Sequence, residues 1–193
     1  TLAHHFDEPF GDSSAIPTYL VSQLAAKHVK MVLSGDGGDE LFAGYSRYRR
    51  YAALQRIRRS TLGMGPGLAK LAGALIPGAK GRRLAGIGQR MGLPWPDDYL
   101  ALVGLASPAD LGLLFGERAK TDPFGSIRQR FVRSDIDSDM ERILSGDMDT
   151  YLADDILTKV DRTTMAVSLE GRAPLLDQNL IAFAARLPFD MKL

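Results

Sequence analysis

Apolar residues recur at helical spacing over most of this chain, and one short segment breaks the rhythm. From Pro17 to about His28, Tyr19, Leu20, Leu24 and Ala25 follow a helical period. Pro17 suits a first helical turn, where its missing N–H has no partner to lose. Met31-Val32-Leu33 is a compact apolar run between Lys30 and Ser34, the pattern of a buried strand. A helix is expected from about Glu40 to Arg58. Gly63 to Gly92 holds nine of the 20 glycines, with Pro66 and Pro77, and reads as a mobile connection or an inserted lobe. Tyr99–Leu105, Pro108–Phe115 and Asp122–Val132 predict short helices. Ser138-Asp139-Met140-Glu141 has capping-box spacing. A long helix is expected from Asp149 to about Val167, then an extended loop from Glu170 to Leu176. Asp177 fits the N-cap of a last helix, Gln178–Leu187.

One strand among many helices poses a question of hydrogen bonding, because a single buried strand has nowhere to send its backbone N–H and C=O groups. The chain is therefore expected to supply a strand to a sheet whose other members lie outside it. Strand, glycine-rich acidic turn, helix is the order of a parallel α/β sheet, in which ligands bind at the carboxyl ends of the strands. The expected organisation is a nucleotide-binding α/β part over 1–62, a variable helical insertion over 63–148, and C-terminal helices over 149–193 that complete a site.

Composition narrows the chemistry. Cysteine is absent, which removes disulfides, thiolate metal sites and a cysteine nucleophile. With only His4, His5 and His28, a histidine-rich metal centre is not expected. No run approaches the roughly 18 apolar residues of a membrane span, and no signal peptide is visible. A soluble, cytoplasmic protein with no membrane partner is expected. The net charge of +1 conceals an asymmetry. Eleven Lys or Arg and no carboxylate lie between Leu41 and Pro96, so the rest of the chain carries −10. Opposite signs on different stretches point to two different surfaces.

Ser34-Gly35-Asp36-Gly37-Gly38-Asp39-Glu40 carries the most chemistry. Its glycines let the backbone approach a ligand closely, and a following helix offers free N–H groups to an anion. Carboxylates beside a phosphate become compatible with it when Mg²⁺ lies between them. The turn thus reads as a nucleotide–magnesium site, against the plainer reading of a strand-to-helix turn that needs Gly and Asp for shape alone. Asp154, Asp155, Lys159, Asp161 and Arg162 share a predicted helix, and Asp155, Lys159 and Arg162 share one face of it at i, i+4 and i+7. Two cations there could meet a polyphosphate, or be ordinary ion pairs on a solvated face. Glu170, Arg172 and Asp177 are expected to form a buried ion-pair network that fixes the loop around Pro174.

Three blocks together resemble the synthetase half of glutamine-dependent asparagine synthetases: Asp7 to Tyr19 (DEPFGDSSAIPTY), Met31 to Tyr45 (MVLSGDGGDELFAGY) and Lys159 to Asp177 (KVDRTTMAVSLEGRAPLLD). The resemblance implies the helix-rich later part of a Rossmann-like parallel-sheet domain of the adenine nucleotide alpha-hydrolase (PP-loop) type. It implies ATP-dependent activation of the aspartate side-chain carboxylate as an acyl-adenylate, then displacement of AMP by ammonia from a glutaminase domain not in this chain. Residue by residue, Ser34, Gly35 and Gly37 fall where the family binds ATP. Asp36 falls where a carboxylate, most often glutamate, serves the acyl-adenylate. Asp39 falls where an aspartate holds Mg²⁺, and Lys159 and Arg162 where a cation faces the activated carboxyl and pyrophosphate. A homodimer is a further possibility.

The departures are specific. The family's phosphate-binding loop, Ser-Gly-Gly-X-Asp-Ser-Ser, is absent, and Gly11-Asp12-Ser13-Ser14 shares only letters with it. Aspartate at 36 in place of glutamate shortens the reach by one methylene, which leaves open a relative that forms a lactam or modifies a peptide. The chain taken alone is expected to have no synthetase activity. A nucleic-acid module is the rival, on the alternation of Tyr45, Arg47, Tyr48, Arg49, Arg50 and Tyr51. No recognised nucleic-acid motif accompanies these residues. Asp135, Asp137 and Asp139 alternate as in a calcium loop, but Met140 and Gly146 stand where glycine and glutamate are needed.

Overall fold

The computed structural model describes residues 2–61, 64–104, 108–116, 124–133 and 135–192. Leu62, Gly63, Leu105 and Asp122, at which expected segments begin or end, lie outside the described residues. The chain forms two compact units, one from residues 1–44 with 144–193 and one from residues 45–143. Residues 45–62, grouped with the first segment in the sequence reading, fall in the second unit.

The first unit holds the sheet. Helix α1 (Ala15–Ala25) leads to strand β1 (Met31–Leu33). Strand β2 (Glu170–Arg172) pairs with β1 in parallel, with Met31 opposite Glu170, Val32 opposite Gly171 and Leu33 opposite Arg172. The ladder continues at both ends, from Glu170 N to Lys30 O and from Ser34 N to Arg172 O, at 2.9 and 2.8 Å. The partner of β1 therefore lies within the chain, in a segment expected as a loop. Glu-Gly-Arg has no apolar content to mark it as a strand.

Short helix α2 (Gly38–Phe42) follows the turn after β1. The continuous helix expected from Glu40 to Arg58 is broken. Ala43 adopts a left-handed backbone at φ 55°, and Gly44 N bonds back to Asp39 O. A Cβ at Gly44 would overlap the Asp39 carboxylate. The same unit contains a π-helical segment (Met148–Leu157) running into helix α10 (Thr158–Met165). The wide coil shows in Thr158 Oγ1, which donates to Ala153 O five residues back. Helix α11 (Gln178–Arg186) begins as predicted, with Asp177 Oδ1 accepting from Asn179 N and Leu180 N. Leu41, Leu152, Ile156, Leu169, Ala184 and Phe189 are buried in this unit.

The second unit is helical: α3 (Ser46–Ser60), α4 (Gly65–Leu75), α5 (Gly78–Met91), α6 (Asp97–Val103), α7 (Pro108–Phe115), α8 (Gly125–Phe131) and the start of α9 (Asp139–Asp147). The glycine-rich stretch expected as a mobile connection or lobe is an antiparallel pair, α4 on α5. A Cβ at Gly73 would come within 2.6 Å of Ala85 N, and one at Gly88 within 2.7 Å of Pro66 O. One at Gly81 would overlap Ile76 O. These glycines are spent on close helix contact, and flexibility is not their use.

Tyr51, Tyr99 and Phe131 form the aromatic core of the unit, with Tyr51 edge-on to Tyr99 at 5.5 Å. Asp98 is buried beside them. It accepts from Tyr51 Oη at 2.9 Å, Gln55 Nε2 at 2.8 Å and Tyr99 N at 2.8 Å, with Arg58 at 3.5 Å. Burial pushes its carboxyl above the usual range, against the pull of these partners.

Candidate active site

The turn after β1 is shaped by contacts beneath it. Ser34 N and Oγ both donate to Arg172 O, at 2.8 and 3.4 Å. Gly35 O then accepts from Gly38 N at 3.2 Å. Gly37 has φ 87°, and a Cβ there would overlap Leu176. Position 37 requires glycine twice over, for its backbone and for the space Leu176 occupies. Asp36 Oδ2 is buried and makes no hydrogen bond within the described residues. A buried carboxylate oxygen without a donor is costly, and in native proteins it asks for an explanation such as an absent ion or ligand. Asp39 is exposed at the start of α2, and Glu40 is buried. Among the described residues no three His, Cys, Asp or Glu side chains gather to hold a metal ion.

Helix α10 leads into β2 through a tight turn in which Leu169 N donates to Thr164 O. It then folds back on the strand, so that Val160 and Thr164 flank Gly171. This carries the N-terminal end of α10 toward the carboxyl ends of β1 and β2, the edge from which the Ser34–Glu40 turn departs. Lys159 lies at that end. Its Nζ donates to Asp12 Oδ2 at 2.6 Å and to Ser14 Oγ at 2.8 Å. Ser14 Oγ donates to Asp12 Oδ2 at 2.7 Å, and Ser14 N donates to Asp12 Oδ1 at 2.8 Å. Burial alone would raise the Asp12 carboxyl. The bonds from Lys159 and Ser14 and the ammonium charge outweigh it and hold Asp12 at about 2. Asp155 is pushed up by burial and by the Asp12 charge, with Lys159 opposing.

Arg162 Nη2 donates to Asp7 Oδ2 at 2.6 Å, in a pair far more exposed than the one at Lys159. The shared helix face of Asp155, Lys159 and Arg162 is thus present, but the carboxylates that bond both cations come from the segment before α1. Asp12 and Ser14, which hold Lys159, were not singled out as candidate-site residues from the sequence. The signal available was the Asp-x-Ser spacing of a side-chain-to-backbone turn. The same segment lines a cleft of about 650 Å³ that includes Phe6, Asp7, Phe10, Asp12 and Ile16, with Phe6 stacked on Phe10 at 4.5 Å. Glu170 and Arg172 do pair, at 2.7 Å, but on the surface, and Asp177 is occupied in capping α11. The expected buried ion-pair network is absent among these residues because β2 presents both charged side chains to solvent.

Comparison with known proteins covers the whole chain. The asparagine synthase family matches residues 1–193. The asparagine synthetase [glutamine-hydrolyzing] 1 of Bacillus subtilis (strain 168) is 33% identical over 192 residues, which is 99% of this chain and 30% of that protein. A putative asparagine synthetase [glutamine-hydrolyzing] of Mycobacterium bovis is 35% identical over 196 residues, 100% of this chain and 29% of that protein. A putative asparagine synthetase [glutamine-hydrolyzing] 2 of Methanocaldococcus jannaschii is 54% identical over 54 residues, 28% of this chain and 10% of that protein. No solved structure matches. The chain spans about 30% of the length of the first of these relatives. Three motif blocks in family order, a glycine-dependent acidic turn at the carboxyl edge of a parallel strand pair, and a family match from end to end lead to one conclusion: this chain belongs to the asparagine synthase family.

Proposed function

We propose that this chain is the part of an asparagine-forming synthetase domain that receives Mg-ATP on the Ser34–Glu40 turn and activates a carboxylate, that of the aspartate side chain. The observation that carries the reading is Asp36 Oδ2, buried without a donor on a turn whose glycine cannot be replaced without moving Leu176. Backbone N–H groups of Gly35 and Gly37 bind the nucleotide phosphates, and Ser34, whose own N–H donates to Arg172 O, sets the turn on which they lie. Asp39 is the residue that would hold Mg²⁺, which usually takes one or two carboxylates and completes its shell with water and phosphate, and Asp36 is the carboxylate that would serve the acyl-adenylate. Bound there, the ion would offset phosphate charge beside the carboxylates.

A carboxylate oxygen of the substrate attacks the α-phosphorus, pyrophosphate leaves, and ammonia from a glutaminase domain then displaces AMP. Two residues of this chain supply positive charge. Lys159 is fixed by Asp12 and Ser14, so its ammonium stays oriented throughout. Arg162 pairs with an exposed Asp7, an interaction worth little in water, and is the cation free to exchange a carboxylate for phosphate. A substrate carboxylate labelled with ¹⁸O tests the reading in the full-length polypeptide. Label in the AMP released during aspartate amidation is expected. Unlabelled AMP, or label only with a different carboxylic acid, contradicts the assignment to aspartate.

A further inference from the structure

The second unit holds a cavity that the proposed reaction does not use. Its volume is about 440 Å³, within the range of roughly 300 to 1,000 Å³ that small-molecule sites occupy. Helix α3 supplies Tyr51, Gln55, Arg58 and Arg59 to its wall. Tyr51, Gln55 and Arg58 recur at i, i+4 and i+7, so they share one helix face. Trp95 and Asp98 come from the start of α6 and Asp139 from the start of α9, so the whole lining belongs to one unit. Some of its charges are used and some are not. Asp98 accepts from Tyr51 Oη, Gln55 Nε2 and Tyr99 N, with Arg58 Nη1 at 3.5 Å, and has no capacity to spare. Arg59 pairs with no carboxylate among the described residues. Asp139 gives Oδ1 to Arg142 Nη1 at 3.3 Å, and its Oδ2 accepts no hydrogen bond among the described residues. One guanidinium and one carboxylate oxygen are thus left over beside the Trp95 indole.

We infer that this cavity binds a free α-amino acid with an uncharged side chain. Arg59, with the N–H groups of Arg58 that Asp98 does not engage, takes the α-carboxylate in charge-assisted bonds. Asp139 Oδ2 takes the α-ammonium, and the side chain lies against Trp95. The charge balance selects this class. A nucleotide or other polyanion would meet Asp98 and Asp139, and a polyamine would meet Arg58 and Arg59, each at the cost of like charges brought together. A zwitterion leaves neither the spare cation nor the spare anion without a partner. An acidic or basic side chain would add a charge that the lining does not balance, so the aspartate of the proposed reaction is not this ligand. Within a polypeptide the α-amino and α-carboxyl groups are spent in peptide bonds, so a covering segment of chain does not offer both from one residue.

Trp95 is the only tryptophan of the chain, so its fluorescence reports on the cavity directly. L-Leucine, L-phenylalanine and L-glutamine are titrated into the 193-residue chain. A saturable change with at least one of them is expected, and none with its N-acetyl derivative, with L-aspartate or with L-lysine. Arg59→Gln is expected to weaken binding at least tenfold and Arg59→Lys to restore part of it, while Arg82→Gln, on α5 and outside the lining, leaves it unchanged. Asp139→Asn is expected to weaken binding as Arg59→Gln does; if it loses far-UV circular dichroism, the Arg59 variants decide, since Arg59 has no ion pair in the fold to lose. Isothermal titration calorimetry on the full-length polypeptide is expected to give the same affinity within about threefold. Failure of all three amino acids, equal binding of the N-acetyl derivative, or full affinity in Arg59→Gln overturns the inference. So does loss of binding in the full-length polypeptide, which would mean that the rest of the chain fills the cavity. None of these outcomes bears on nucleotide chemistry at the Ser34–Glu40 turn.

Discussion

Replacing Asp12 with asparagine removes the charge that fixes Lys159 and keeps the shape. The Asp12 carboxyl is lowered from 3.8 to about 2. Each unit corresponds to about 1.4 kcal/mol, so the charged form contributes about 2 kcal/mol. The value sits between a surface pair and a buried one, as the partial burial of Lys159 and Asp12 requires. The sign follows from the direction of the shift. A depressed carboxyl stabilises the fold above its unfolded value, and that contribution is lost as pH falls through about 2. Urea unfolding followed by far-UV circular dichroism measures it. With a slope of about 2 kcal/mol per molar urea, Asp12→Asn lowers the midpoint by about 1 M at pH 7. By pH 3 the gap between wild type and variant narrows to about 1 kcal/mol. A midpoint unchanged at pH 7, or a gap that stays constant from pH 7 to pH 3, would refute the argument.

The glycine-rich helical pair gives a sharper contrast. Gly81→Ala places a methyl against Ile76 O and is expected to cost about 3 kcal/mol or more. Gly86→Ala meets only the end of Arg90 at 3.9 Å and is expected to gain about 0.5 to 1 kcal/mol; equal effects in urea unfolding would mean the pair is not packed through Gly81. Tyr51→Phe removes a hydrogen bond to the buried Asp98 carboxylate and is expected to cost about 2 kcal/mol, read as a lower thermal midpoint. Asp177→Ala removes the cap of α11 and is expected to cost about 1 kcal/mol, with faster amide exchange at Asn179 and Leu180.

What could be read from the sequence was what local chemistry determines. Met31–Leu33 is apolar and bounded by polar residues, so β1 was legible as a strand, but not as the buried strand expected, because Met31 and Leu33 are exposed. Asp177 precedes an amphipathic run, so the start of α11 was legible as well. The Ser34–Glu40 turn announced itself by composition, and one of its glycines, Gly37, proved to be a spatial requirement, as did Gly44 beyond it. Three features were hidden for stated reasons. Strand β2 consists of Glu-Gly-Arg, and only its parallel partner makes it a strand. Glycine density between 65 and 92 reads as slackness until the neighbouring helix is present to fill the space. The Lys159–Asp12 bond joins residues 147 apart, and no local pattern ties a late lysine to an early Asp-x-Ser turn. Helix content was therefore easier to read than the contacts that fix its cations.

The exchange of labelled pyrophosphate into ATP by the full-length polypeptide, dependent on aspartate and on Mg²⁺, is the most direct test of the turn's role. Wild type is expected to support exchange. Asp36→Asn is expected to lose it by at least a hundredfold while keeping the wild-type unfolding free energy within about 1 kcal/mol, because Asp36 Oδ2 has no bond in the fold to lose. Exchange at the wild-type rate in Asp36→Asn would show that nucleotide chemistry takes place away from the Ser34–Glu40 turn.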